Sequence, residues 1–290
     1  MTRPRTAICV ALLPALLVSA SAFAVTVTAD PKSAPESITA APDGGVILGS
    51  STPHIYRAAK GESQAKVFID VSSDGNVSFL GVLADAPSNT LWACELKAVP
   101  GTNNRQSILR SFDLKTGAAK VSWALPGDSS TCNDIAIGPD RAAYFTDTAN
   151  SRIYRLRPGM TGAEMVIQNR VLDGVDGLAF LGGVLYANNV AANNIYRIPL
   201  DASGQAGDPV QIWTDQPIKG PDGMRASGDR LFIAENRNGR ASMLTINGDI
   251  AHVTVVKDGL TQPTAIDVGG DTLWVGDRAN DNATSIPLPH

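Results

Sequence analysis

Six times along this chain the same order recurs: a short alternating apolar stretch, a turn built on Pro-Asp, Asn or Gly, and a second alternating stretch. One copy runs Cys132-Asn133-Asp134-Ile135-Ala136-Ile137, then Pro139-Asp140, Ala143-Tyr144-Phe145-Thr146-Asp147 and Arg152-Ile153-Tyr154-Arg155. The next runs Val175-Asp176-Gly177-Leu178-Ala179-Phe180, then Val184-Leu185-Tyr186-Ala187-Asn188 and Asn194-Ile195-Tyr196-Arg197. Further copies open at Glu36, at Pro221-Asp222-Gly223 and at Pro263-Thr264, and a degenerate one fits Leu80-Gly81-Val82-Leu83. Equivalent residues stand at 36, 80, 133, 176, 222 and 264, a period of 42 to 53. Helical solenoids share periods near 40, but they need apolar stripes at 3.6-residue spacing, and these segments alternate by two. The pattern therefore predicts an all-β chain, a six-bladed β-propeller with four-stranded antiparallel blades. All five tyrosines fall at recurrent positions (56, 144, 154, 186 and 196), as expected for packing between blades.

Residues 1–24 stand outside the repeat. Arg3 and Arg5, the apolar run Ala7 to Val18 and the cleavage-like Ala22-Phe23-Ala24 have the form of a bacterial signal peptide. That predicts a periplasmic or secreted protein whose residues 25–290 form a single propeller domain. Without Arg3 and Arg5, the basic count of 24 drops to 22 against 28 acids, a net charge of −6. Lys and Arg form no block, which argues against nucleic acid and anionic membrane as partners. An acidic surface mildly favours cations.

In a propeller the first strand of each blade lines the central channel, so the blade-start residues meet at one mouth. That column reads Glu36, Leu80, Asn133, Asp176, Asp222 and Thr264. Four of the six carry hard oxygen donors of the kind calcium prefers, with no sulfur or imidazole among them. Three carboxylates crowded together repel unless a cation neutralises them. A single Asp-Gly is common in turns, but turn chemistry explains four aligned donors poorly. Asp176 is taken as the column residue over Asp173, because only that frame aligns Leu178-Ala179-Phe180 with Ile135-Ala136-Ile137.

Glu, Asn, Asp and Asp at these blade starts resemble the senescence-marker-protein-30/gluconolactonase superfamily, whose six-bladed members include calcium-dependent lactonases. The resemblance spans residues 25–290 but rests on short motifs. It implies that Glu36, Asn133, Asp176 and Asp222 hold a divalent cation, calcium by preference. It also implies a small-molecule lactone or ester substrate, with Asp222 as general base. Family members more often carry Asn where this chain has Asp176. Thr131 replaces the arginine that sugar-lactone members place two residues before the Asn, so an aldonolactone is not implied.

Second strands return to the same mouth, making Asp147, Asn189 and Glu235 candidates for contacting substrate, with His54 in the first such loop. Asp134 is expected to turn into its blade by strand alternation. A Ser-His-Asp triad is not indicated: only His54, His252 and His290 exist, and there is no G-x-S-x-G elbow. The alternative to a hydrolase is a non-catalytic propeller that binds a small ligand or protein partner over a structural cation. A strictosidine-synthase-like reading ranks last, because no acid occupies the Thr264 position. After Cys9 leaves with the signal, Cys94 and Cys132 remain, one ending a strand Asn89–Cys94 of blade two and one opening blade three. Their shared mouth and an oxidising compartment predict a disulfide, with Glu95–Gln106 as a lid over the site.

Overall fold

Alternation of apolar and polar residues, broken by glycine and Pro-Asp turns, builds one antiparallel sheet per repeat in a computed structural model that describes residues 24–127 and 129–289. Apart from Ala24, the proposed signal segment lies outside the described residues. A first strand, β1 (Thr26–Thr28), precedes blade one, which is β2 (Ser37–Ala40), β3 (Val46–Gly49), β4 (His54–Ala58) and β5 (Lys66–Asp70). Blade two is β6 (Val77–Asp85), β7 (Thr90–Ala98), β8 (Arg105–Asp113) and β9 (Ala119–Ala124). Blade three is β10 (Cys132–Ile137), β11 (Ala143–Asp147), β12 (Arg152–Leu156) and β13 (Glu164–Gln168). Blade four is β14 (Val175–Leu181), β15 (Val184–Asn189), β16 (Asn194–Ile198) and β17 (Val210–Thr214). Blade five is β18 (Pro221–Ser227), β19 (Arg230–Glu235), β20 (Arg240–Asn247) and β21 (Ile250–Lys257). Blade six is β22 (Pro263–Gly269), β23 (Thr272–Asp277) and β24 (Asn282–Pro287), and takes β1 as its outer strand.

That borrowed strand closes the ring. Thr26 pairs with Thr284 and Thr28 with Asn282, tying the first strand to the last blade. Blades four and five also join at the rim, where β17 and β21 pair in parallel through Trp213–Ile250 and Thr214–Ala251. Closure leaves few free strand edges, the usual hazard of an all-β chain. Among the described residues there is no α-helix, and no helix is long and apolar enough to cross a membrane.

The core lies between blades rather than inside one layer. Ile47 and Ile55 of blade one pack with Phe79, Val82 and Leu91 of blade two. Tyr144 and Ile153 of blade three meet Leu178, Leu185 and Tyr196 of blade four. All five tyrosines are buried in such seams. Local turn chemistry fixes each hairpin. Gly182 and Gly183 both take positive φ (58° and 82°) between the paired Leu181 and Val184, as a two-residue hairpin turn with matched twist requires.

Blade two departs from its expected outline. The strand taken to end at Cys94 runs on to Ala98, and Arg105 opens the next, so the Glu95–Gln106 segment forms the end of a long hairpin rather than a lid loop. Register pairs Val77 with Lys97 and Ala98 with Arg105, so the hairpin stands beyond the inner-strand bulge at Leu80. Cys94 sits in mid-strand, and there it is bonded to Cys132 across 38 residues, with Cα atoms 5.1 Å apart. Both cysteines are fully buried. Titration of unfolded, unreduced protein should therefore find no free thiol from this pair. Cutting the bridge should lower stability by ~3–4 kcal/mol on the loop-entropy account, read as a shift in the denaturant midpoint.

Candidate functional site

The column residues face the axis because the inner strands are bulged where they begin. Register slips at Phe79/Gly81, Cys132/Ile135, Val175/Leu178, Pro221/Met224 and Pro263/Ala265, five of the six inner strands. A bulge sets two residues against one and re-aims a side chain. In blade one, Glu36 lies just before β2 and its amide donates to the Gly49 carbonyl.

Glycine after the column residue serves close packing, not a turn. A Cβ on Gly81 would meet the Asn133 carbonyl oxygen at 1.9 Å, one on Gly177 the Asp222 carbonyl at 2.3 Å, and one on Gly223 the Thr264 carbonyl at 2.9 Å. None of the three needs positive φ, whereas Gly174 of the exterior Asp173-Gly174 pair does (71°). So Asp176-Gly177 and Asp222-Gly223 lie inside strands, and Asp173 sits exposed on the turn before β14. Asn188, invisible as a functional signal, braces two of these positions. Its Oδ1 accepts from Gly177 N (2.9 Å) and its Nδ2 donates to the Asp222 carbonyl (2.6 Å).

Glu36, Leu80, Asn133, Asp176, Asp222 and Thr264 all line one small cavity of about 10 Å³, room for a single water-sized occupant. Burial, then the charges of Asp134 and Glu36, push the Asp176 carboxyl well above the ordinary range. Burial, then Asp176 and Glu36, do the same to Asp222. Burial also raises Glu36, against the pull of Arg278, whose Nη1 lies 2.7 Å from Glu36 Oε2. That oxygen is buried and ion-paired but accepts no hydrogen bond. Asn236 Nδ2 donates to Asp222 Oδ2 at 3.2 Å.

Three carboxylates, an amide oxygen and the Thr264 hydroxyl around a one-atom space suit a hard divalent cation. The poorly satisfied Glu36 oxygen points the same way. Among the described residues, however, no three His, Cys, Asp or Glu side chains stand as a ready-made cage. Glu36, which lines the cavity, is engaged by Arg278 in this arrangement.

Beneath the cavity lies a buried ionic floor. Arg225 Nη1 donates to both Asp134 carboxylate oxygens (2.9 and 2.8 Å), and its Nε lies 3.7 Å from Asp267 Oδ1. Asp134 Oδ2 also accepts from Leu178 N, and Asp267 Oδ2 from Thr39 Oγ1 and Ala40 N. Burial alone would lower the Arg225 pKa, but Asp134 and Asp267 outweigh it and hold the guanidinium charged. Strand alternation predicts that Asp134 turns into its blade. It faces this network instead, because the Cys132/Ile135 bulge breaks the alternation at that point.

Beside the cavity, and sharing Glu36 and Leu80 with it, is a second cavity of about 280 Å³ under the long hairpin of blade two. The other sequence candidates lie elsewhere. Asp147 accepts from Thr131 N and Asn150, Asn189 from Ala192 N, and Glu235 from Arg240, Asn238 and Lys219 N, each bracing a turn at this mouth. His54 stands edge-on to Tyr56, with Nε2 3.4 Å from Asp70 Oδ1, and lines neither cavity.

No protein-family profile matches this sequence, and no curated protein matches it either. Solved structures do resemble it. A gluconolactonase from Xanthomonas campestris aligns with a TM-score of 0.67 and 16% identity, over 88% of this chain and 86% of that one. Virginiamycin B lyase from Staphylococcus aureus gives 0.64 and 15%, over 92% and 99%. A chain of a nidogen/laminin complex gives 0.64 and 18%, over 83% and 89%. At such identities the likeness shows the fold alone: this chain is a six-bladed β-propeller, similar in fold to these structures. That architecture serves enzymes and binding modules alike.

Proposed function

We propose that this protein is a periplasmic or secreted, calcium-dependent hydrolase of a small lactone or ester. One observation carries the reading: oxygen side chains from blades one, three, four and five converge on a one-atom cavity, with a larger cavity opening beside it. The disulfide fits an oxidising compartment outside the cytoplasm. The gluconolactonase and lyase neighbours are enzymes, which supports catalysis at this mouth.

Glu36, Asn133, Asp176 and Asp222 would hold the cation, which when bound supplies a Lewis acid for the substrate carbonyl. Asp222 is the general base. Asn236 fixes one of its oxygens. It takes a proton as water adds to the carbonyl carbon. It returns that proton to the leaving oxygen as the acyl–oxygen bond breaks. Leu80 gives the reacting end an apolar wall.

Calcium should raise the melting temperature of chelator-treated protein, by an amount equivalent to ~2.7 kcal/mol at 100 times Kd. A panel of lactones and aryl esters, with and without chelator, tests the activity. If nothing turns over with calcium present, the mouth is a binding site, as the nidogen/laminin likeness allows.

A further inference from the structure

The 280 Å³ cavity beside the cation site has a charge pattern of its own. Arg105, at the start of β8 on the long hairpin, and Arg278, after β23, both line it. Arg105 makes no ion pair among the described residues, while Asp74 and Glu95 are both taken by Arg110, at 3.0 and 2.7 Å. Arg278 spends one nitrogen on Glu36, and its side chain is 39% exposed. Guanidinium carries five donors, so most of that fork remains available. Glu36 is the single acid lining the cavity, and it is already assigned to the cation. Asn76, Ser51 and Ser78 add polar groups, while Leu80 and Leu96 make an apolar side.

We propose that the substrate carries a carboxylate, received by Arg105 and Arg278 while its reacting carbonyl lies toward Asp222. This rests on the hydrolase reading and narrows it to a small acidic lactone or ester. Guanidinium pairs match carboxylate and phosphate alike by bidentate contact. The three acids next door favour the monoanion, because like-charge repulsion grows with ligand charge. The volume lies just below the ~300 Å³ at which drug-sized pockets begin, which limits the ligand to a small molecule.

The test compares a lactone carboxylate with its methyl ester and a phosphorylated analogue, on calcium-loaded wild type, Arg105→Gln and Arg105→Glu. In the wild type, kcat/KM for the carboxylate should exceed that for the methyl ester by ~10-fold or more, mainly through KM. That ratio should fall toward one in Arg105→Gln and invert in Arg105→Glu. In parallel, tetrahydrofuran-2-carboxylate, which cannot be hydrolysed, should raise the wild-type melting temperature and not that of Arg105→Gln. A thermal shift that depends on Arg105 without any turnover sinks the hydrolase reading and leaves the anion pocket standing. Turnover without charge preference, a preference for the phosphorylated analogue, or an unchanged ratio in Arg105→Gln overturns this proposal alone.

Discussion

Replacing Asp222 by Asn is expected to lower kcat by ~10²–10⁴-fold, the usual worth of a positioned general base, without lowering the stability of the calcium-free protein. An amide has the size of a carboxylate and keeps an oxygen for a cation, but it cannot take the proton of the attacking water. It also removes one of three acids enclosed together, where burial and Asp176 already raise Asp222. With that charge gone, Asp176 loses a repelling neighbour, so the calcium-free variant should melt at or above the wild-type temperature. Loss of activity with gain of stability is the signature of a strained functional group. Glu36→Gln should behave differently. It leaves Asp222 in place and should weaken calcium first, shifting the calcium titration of the melting temperature before kcat at saturating calcium. A fully active Asp222→Asn variant would remove Asp222 from the mechanism and leave it a ligand alone.

The propeller and the column at its mouth were legible because both repeat. Six copies of strand, turn and strand give a period, and the period aligns Glu36, Asn133, Asp176 and Asp222 across some 190 residues without any contact information. What does not repeat stayed hidden. Thr26–Thr28 is three residues long and carries no repeat signal, yet it completes blade six through pairs more than 250 residues apart. The long hairpin of blade two is not legible as paired strands, because its copy of the repeat is degenerate and longer than the rest. Asp134 escapes the alternation rule for a physical reason: alternation holds along a regular ladder, and the register slip between Cys132 and Ile135 interrupts it. Asn188 gave no signal, because a buried amide that pairs only with backbone looks like any other strand-end polar residue. The Asp-Gly pairs were the ambiguous case. Space decides them: at Gly177 and Gly223 a carbonyl of the next blade passes too close for a Cβ.

Arg225→Met is expected to destabilise the protein by ~3–5 kcal/mol, the penalty for stripping one partner from a buried ion pair. Arg225 is 7% exposed and reaches Asp134 of blade three, Asp267 of blade six and, at 3.4 Å, the Val82 carbonyl of blade two. Methionine fills comparable space but leaves Asp134 and Asp267 without the charge that faces them. The cost should be recovered in part by Asp134→Asn in the same chain, because the second change removes the stranded carboxylate. Denaturant midpoints of wild type, both single variants and the double variant form a cycle, and a coupling above ~1 kcal/mol is expected for residues in direct contact. Additive losses would instead make the pair a bystander of packing. The floor also touches function, since Arg225 follows Asp222 by three residues and Asp134 follows Asn133 directly. Both strands enter the proposed cation site from anchors fixed by this one guanidinium, so the stability lost in Arg225→Met should be accompanied by weaker calcium binding. Calcium titration of the folded single variant reads that out, and an unchanged calcium affinity would confine Arg225 to holding the blades together.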